Sequence, residues 1–130
     1  MNLFNAHELA HLNERLIKCY GGLFAPCSDE RLQRVDALCQ RVQMIIQYER
    51  LNSPIEVAAT YAEGIARGHV FADANKRTAV NALYLFLHRN GNKTKVPEDL
   101  ADLIVNLASG AITRNELIVY IKDKVAVDSK

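Results

Sequence analysis

The sequence has little of what marks several specialised classes of protein. Its cysteines, Cys19, Cys27 and Cys39, are only three in 130 residues and lack CxxC spacing. This argues against a disulfide framework and predicts reduced cysteines, mostly packing residues, in a cytosolic protein. Charge of one sign is also missing, since the formal net charge is +1. A large electrostatic field for binding nucleic acid is therefore not expected.

Long hydrophobic runs are absent as well. The longest apolar stretch, residues 79–87, is interrupted by Asn81 and is far shorter than the ~20 residues that span a bilayer. The first residues show no charged-then-apolar leader, so we expect no secretion signal, no membrane contact and a cytoplasmic location.

What the chain does have is apolar residues at helical spacing. The hydrophobic share is 49%, which excludes a disordered chain. A length of 130 residues fits one domain, 1–130, that forms a core without metal or disulfide support. Apolar residues recur every three to four positions in six segments, so we predict an all-α fold, a compact bundle of six helices.

Start and stop signals bound these helices. Asn5, Ser28, Ser53 and Thr113 are predicted caps of helices 1, 2, 3 and 6, Pro97 opens helix 5, and glycines at 21, 68, 91 and 110 end four helices. The interior of helix 4 is apolar all round except at Asn81, which predicts that this helix lies at the centre of the bundle. Residues 21–27, with two glycines and one proline, are predicted to form a loop or a small hairpin.

The segment His69–Arg77 lies between helices 3 and 4 and combines residue types that suit phosphate chemistry. A helix start carries unpaired N–H groups and partial positive charge, and so binds anions. Lys76 and Arg77 add two charges there. Asp73 could hold Mg²⁺, and His69 could take a proton near neutral pH. Together they predict a site for phosphoryl or nucleotidyl transfer.

A plainer interpretation of these residues stays open. Asp73 and Asn75 could be helix caps, Lys76 and Arg77 a solvated first turn, and His69 a polar residue that closes helix 3. Short motifs carry a real risk of false positives. On this interpretation the protein is a non-catalytic binding module.

The same segment resembles the signature of the Fic family, written His-Pro-Phe-x-Asp/Glu-Gly-Asn-Gly-Arg in its nucleotidyl-transferring members. It is more similar to the Doc branch, the toxin half of a bacterial toxin–antitoxin pair. The similar features run along most of the chain: Tyr20-Gly21-Gly22, residues 66–69, residues 73–79, Asn81 and residues 85–91. The resemblance implies a Fic-type bundle and a bacterial, cytoplasmic protein. It also favours the interpretation of residues 21–27 as a flap that docks the target.

Departures from the signature indicate which reaction to expect. Val70 replaces proline, Ala74 and Lys76 replace the two glycines, and Val80 stands where the nucleotidyl transferases usually carry a second arginine. In the Doc branch such changes accompany transfer of the terminal phosphate of ATP to the target, instead of transfer of an AMP group. The resemblance therefore implies an ATP- and Mg²⁺-dependent protein kinase that phosphorylates a threonine of elongation factor Tu and stops translation. Nucleotidyl transfer to a protein hydroxyl is the alternative.

The resemblance also implies a role for each residue of the segment. His69 would be the general base, and Asp73 would hold Mg²⁺. Asn75, Lys76 and Arg77 would bind phosphates together with backbone N–H groups of helix 4. Phe71 would pack inward and pin the loop.

Two further polar residues have two interpretations each. Asn81 lies one turn after Arg77, where it could brace the loop, touch substrate or simply be a satisfied polar residue of the core. Arg67 could contact the nucleotide or target, or be an ordinary surface charge.

Regulation is expected from another chain. Many Fic proteins carry an inhibitory helix with a Ser/Thr-x-x-x-Glu-Gly/Asn pattern, which we do not find in this sequence. By resemblance to Doc, the partner would be a cognate antitoxin whose disordered tail folds into a groove of the toxin.

A second motif competes with the first. His7 to His11 reads HExxH, which is typical of zinc proteases because spacing i, i+4 puts both histidines on one helix face. The extended form of the motif is missing, since Glu14 and Ile17 occupy its further positions. A third ligand is also required, and no downstream residue offers a convincing one.

Overall fold

The computed structural model describes residues 1–22, 27–92 and 97–128, with side chains described as far as Lys124. This part of the chain contains six helices and no β-strand. The helices are α1 (Ala6–Tyr20), α2 (Asp29–Glu49), α3 (Pro54–Gly68), α4 (Asn75–Arg89), α5 (Leu100–Ser109) and α6 (Arg114–Asp128). The predicted all-α six-helix bundle is confirmed. The predicted flap falls largely on residues 23–26, outside the described residues.

Most predicted helix starts are confirmed by their caps. Asn5 Oδ1 accepts a hydrogen bond of 2.9 Å from the backbone N–H of Glu8. The side chains of Ser28 and Ser53 likewise accept from backbone N–H groups of the first turns of α2 and α3. Helix α5 begins at Leu100, three residues later than the predicted start at Pro97, because a turn in which the Pro97 carbonyl accepts from the Leu100 N–H precedes it.

Helix α3, rather than α4, occupies the centre of the bundle. It packs against α2, α4, α5 and α6, whereas α4 packs against α1, α3 and α5. Leu85 of α4 is 43% exposed, and Val80 and Tyr84 are only half-buried. The prediction that helix 4 is surrounded is therefore wrong, because apolar side chains on its outer face reach solvent instead of a neighbouring helix.

Small residues let α3 take this position. Ala58, Ala59 and Ala62 are completely buried. A Cβ atom placed on Gly64 would lie 2.2 Å from Cδ1 of Leu38, so α2 and α3 approach closely at this glycine. In the described part of the chain, no helix is long and apolar enough to cross a membrane. The packing also brings the middle of α1 and the start of α2 alongside the connection between α3 and α4, where the candidate site lies.

Candidate active site

The connection between α3 and α4 begins and ends in left-handed backbone. His69 follows α3 with φ 46° and ψ 49°, and Ala74 precedes α4 with φ 61° and ψ 29°. For a residue with a side chain this conformation costs about 1–2 kcal/mol. Such strain persists only where the surrounding structure holds the backbone, and it is concentrated at functional sites. Residues 70–73 therefore form a short, fixed loop. Together with His69 and Ala74, we call it the site loop.

A side-chain amide closes the site loop from within. Asn75 Oδ1 accepts from the backbone N–H of Phe71, and Asn75 Nδ2 donates to the Phe71 carbonyl, both at 2.9 Å. The Phe71 ring is buried in the main core. Phe71 thus lies inward, as a structural residue of the loop would. The predicted phosphate contact of Asn75 is left to its backbone N–H, because its side chain is already used in the loop.

The first turn of α4 has features that favour anion binding. Ala74 precedes the helix and has no polar side chain to cap it. The first helical hydrogen bond runs from the Thr78 N–H to the Ala74 carbonyl at 2.8 Å, so the N–H groups of Asn75, Lys76 and Arg77 precede it. Both cationic side chains of this turn are exposed. Unpaired N–H groups, the helix dipole and two cations favour an anion at this place.

Asp73 and the end of α1 meet beside this turn. Asp73 Oδ1 accepts from the Ala74 N–H at 2.7 Å. A Cβ atom on Gly22, whose φ is 137°, would lie 3.0 Å from Asp73 Oδ2. Glycine at this position therefore avoids a close contact between a Cβ atom and the carboxylate. The Asp73 carboxylate suits Mg²⁺, which is often held by one or two carboxylates while phosphate oxygens and water complete its coordination shell.

Arg77 connects the same two elements. Its Nη1 donates to the Gly21 carbonyl at 2.9 Å, and its guanidinium lies 5.9 Å from the centre of the Tyr20 ring. The Tyr20-Gly21-Gly22 motif is thus hydrogen-bonded to the start of α4.

The two residues with open interpretations lie in different places. Asn81 is half-buried, and its Nδ2 donates to the Arg77 carbonyl one turn earlier at 2.8 Å. It braces the first turn of its own helix. Arg67 is exposed and lies 3.9 Å from Glu63, where it lines a groove between α2 and α3. Arg67 therefore lies in that groove and pairs with Glu63 of its own helix.

Sequence reasoning missed the residues that hold the loop from outside. Asn13 Nδ2 donates to the Asp73 carbonyl and to Thr78 Oγ1, each at 3.0 Å. Arg31 Nη1 donates to the Val70 carbonyl at 3.0 Å. Asn13 carried a usable signal, because it is polar at a position where the apolar face of helix 1 continues. Arg31 carried none.

A model of the Fic/DOC family matches residues 3–87. The chain belongs to the Fic/DOC family. It is 44% identical over 113 residues to a protein from Escherichia phage P1 named "Protein kinase doc", and the match covers 87% of each chain. The resemblance of the loop to the Fic signature is thereby confirmed, and the matched residues contain the whole site loop and the first turn of α4.

The competing zinc motif has another use in this Fic/DOC chain. Glu8 Oε1 accepts from the Asn5 N–H at 3.0 Å, and the Glu8 carboxylate pairs with Arg89 of α4. His7 and His11 are exposed. Among the described side chains, in residues 1–22, 27–92 and 97–124, no group of three or more His, Cys, Asp or Glu residues could hold a metal ion. The motif is therefore explained by helix capping and by an ion pair between α1 and α4.

This ion pair predicts a pH-dependent contribution to stability. The hydrogen bond from Arg89 lowers the pKa of Glu8 from its ordinary value of 4.5. A lowered pKa stabilises the fold fully above pH 4.5, and the contribution is lost as the pH falls through the lowered value. Since the Glu8 side chain is 37% exposed, we expect at most about 1 kcal/mol. Urea unfolding of wild type and Glu8→Gln should differ at pH 7 and converge in acid.

Glu30→Gln is the matched control for this prediction. Glu30 and Arg34 form a 3.8 Å pair on α2 in which both side chains are largely exposed. Such pairs contribute about 0–0.5 kcal/mol, so this variant should unfold like wild type at both pH values. An unchanged difference between wild type and Glu8→Gln down to pH 3 would contradict the assignment.

Proposed function

We propose that this Fic/DOC protein is a kinase toxin that transfers the γ-phosphate of ATP to a hydroxyl group of a target protein. The observation that carries the proposal is the site loop with the first turn of α4. One fixed connection presents a histidine, a carboxylate and a helix start that bears two cations. The 44% identical relative named as a protein kinase supports phosphate transfer over nucleotidyl transfer.

Each group has a role in the proposed reaction. The imidazole of His69 accepts the proton of the attacking hydroxyl. The hydroxyl oxygen bonds to the γ-phosphorus while the bond from that phosphorus to the bridging oxygen breaks, and ADP leaves. The N–H groups of Asn75 and Lys76 and the side chains of Lys76 and Arg77 hold the phosphates. Asp73 would hold Mg²⁺, which neutralises phosphate charge when bound.

The target follows from resemblance to the Doc branch. We expect phosphorylation of a threonine of elongation factor Tu in the bacterial cytoplasm, with arrest of translation and growth. The test incubates the purified protein and elongation factor Tu with ATP labelled on either the α- or the γ-phosphate. Label from the γ position alone on the target supports the kinase. Label from the α position means nucleotidyl transfer and refutes the kinase.

Inhibition is proposed to come from a cognate antitoxin in a type II toxin–antitoxin module. The antitoxin's disordered tail would fold as an amphipathic helix in a groove of the toxin. Expression of the toxin alone should arrest growth, and co-expression of the antitoxin should restore it. A toxin that is harmless alone, with its site already closed in the isolated protein, would contradict this part of the proposal.

A further inference from the structure

Side chains of two helices outside the site loop donate hydrogen bonds to its backbone carbonyls. We propose that Asn13 of α1 and Arg31 of α2 are positioning residues for the transfer reaction. Asn13 fixes the end of the loop that carries Asp73, and Arg31 fixes the end that carries His69. This inference rests on the proposed function. A different measurement tests each of the two residues, so their effects can be distinguished.

The amide of Asn13 spans the junction between loop and helix. The residue is only 7% exposed, and Thr78 is completely buried. The two protons of one NH₂ group are shared between the Asp73 carbonyl and Thr78 Oγ1, so the amide connects the residue before Ala74 with the first turn of α4. It thereby sets the orientation of the strained peptide between Asp73 and Ala74. That orientation fixes the position of the Asp73 carboxylate relative to the helix start.

The guanidinium of Arg31 holds the other end. The backbone N–H of Arg31 donates to Ser28 Oγ at 3.1 Å, so the cap of α2 fixes the residue from which the side chain leaves. Its Nη1 then reaches the carbonyl of Val70, the residue directly after His69. A hydrogen bond from a charged donor is about twice as strong as one between neutral groups. The bond therefore restrains the backbone on which the exposed imidazole is mounted.

Both donors matter for geometry because the reaction is sensitive to small displacements. A shift of about 1 Å in a reacting group can cost about 10²-fold in rate. Side chains on loops reach such precision only when surrounding residues fix them. Asn13 and Arg31 act on opposite ends of the loop, so we expect separable effects: Asn13 on the nucleotide-bound metal and Arg31 on the chemical step.

The test of Asn13 measures metal binding without using activity. Asn13→Leu removes the amide at nearly constant volume, and Thr78→Val removes only one of its two acceptors. For both variants, Mn²⁺ is titrated in the presence of ADP and followed by electron paramagnetic resonance. The dissociation constant for Mn²⁺ should rise by about tenfold, as is usual for loss of a residue that orients a metal ligand. Thr78→Ser keeps the hydroxyl and should bind Mn²⁺ like wild type.

The test of Arg31 separates kcat from nucleotide binding. Arg31→Met keeps most of the side-chain stem and removes the donors. Its kcat for γ-phosphate transfer should fall by about tenfold or more, while the affinity for Mn²⁺–ADP stays within about twofold. Arg31→Lys can still donate one charged hydrogen bond to the Val70 carbonyl and should recover most of kcat. The imidazole resonances of His69 should shift in Arg31→Met and stay unchanged in Asn13→Leu.

Two results would overturn the proposal. The first is that Asn13→Leu and Arg31→Met lose thermal stability but keep the wild-type metal affinity, imidazole resonances and kcat per folded molecule. Residues that only stabilise the fold would behave in this way. The other is the same pattern of losses in both variants, which would contradict separate control of the two ends. If wild type transfers no γ-phosphate while Mn²⁺ affinity and the His69 resonances respond as expected, the proposed kinase fails and the positioning roles stand.

Discussion

A His69→Asn variant is expected to lose phosphate transfer by about 10²- to 10⁴-fold, the usual contribution of a general base. His69 has a φ of 46°, and asparagine is one of the few residues that tolerate left-handed backbone. The imidazole is exposed, so its removal leaves no cavity in the core. Fold and nucleotide affinity should therefore stay close to those of wild type, and kcat for transfer from γ-labelled ATP should fall.

His11→Asn provides the matched control for this loss. His11 is an exposed histidine on α1, and we expect the variant to transfer phosphate at the wild-type rate. Growth arrest on expression gives a second measurement, because His69→Asn should be harmless to cells. If His69→Asn still arrests growth, catalysis is not the cause of toxicity. The protein would then act as a non-catalytic binding module that retains the site only as a relic.

The core of this site could be predicted from sequence because its elements are local. His69, Asp73, Lys76 and Arg77 lie within nine residues, and the properties of a helix start do not depend on the rest of the fold. The pattern could not show what each polar side chain contacts. The Asn75 amide suits a phosphate oxygen and a backbone peptide group equally well, and only the folded loop shows that it bonds to Phe71.

The residues that hold the loop from outside were beyond the reach of local reasoning. Asn13 and Asp73 are 60 positions apart, and Arg31 and Val70 are 39 apart. Contacts of this kind depend on how α1 and α2 pack, which helical periodicity does not determine. Asn13 is a polar residue in the apolar face of helix 1, which is unusual, but this pattern does not indicate its partner.

The same distinction explains the outcome for the fold. Caps such as Asn5 and Ser53 involve neighbours within three residues, and both were predicted correctly. The centre of the bundle was not, because an apolar helix can be buried or can leave one face in solvent. Leu85 shows the second case. The close approach allowed by Gly64 helps to place α3 at the centre, and this contact depends on Leu38, which lies on another helix.

The second large effect is expected from Asp73→Asn, which removes one charge and almost no volume. The new amide oxygen can still accept from the Ala74 N–H, as Asp73 Oδ1 does at 2.7 Å, so the turn into α4 should be preserved. A metal ion on transferring phosphates supplies several kcal/mol of charge stabilisation, and each 1.36 kcal/mol is about tenfold in rate. We therefore expect transfer from γ-labelled ATP to fall by about 10²-fold or more.

Magnesium dependence distinguishes this defect from the loss of the base. Since Asp73→Asn weakens the hold on Mg²⁺, the concentration of Mg²⁺ needed for half-maximal transfer should rise, and excess Mg²⁺ should recover part of the rate. His69→Asn should transfer phosphate more slowly, but it should need the same Mg²⁺ concentration as wild type for half-maximal transfer, because its defect lies in proton transfer. Asp123→Asn, at an exposed position on α6, is the control for removal of a negative charge. A wild-type Mg²⁺ profile in Asp73→Asn would mean that this carboxylate does not hold the metal, and its role would then be limited to shaping the turn at Ala74.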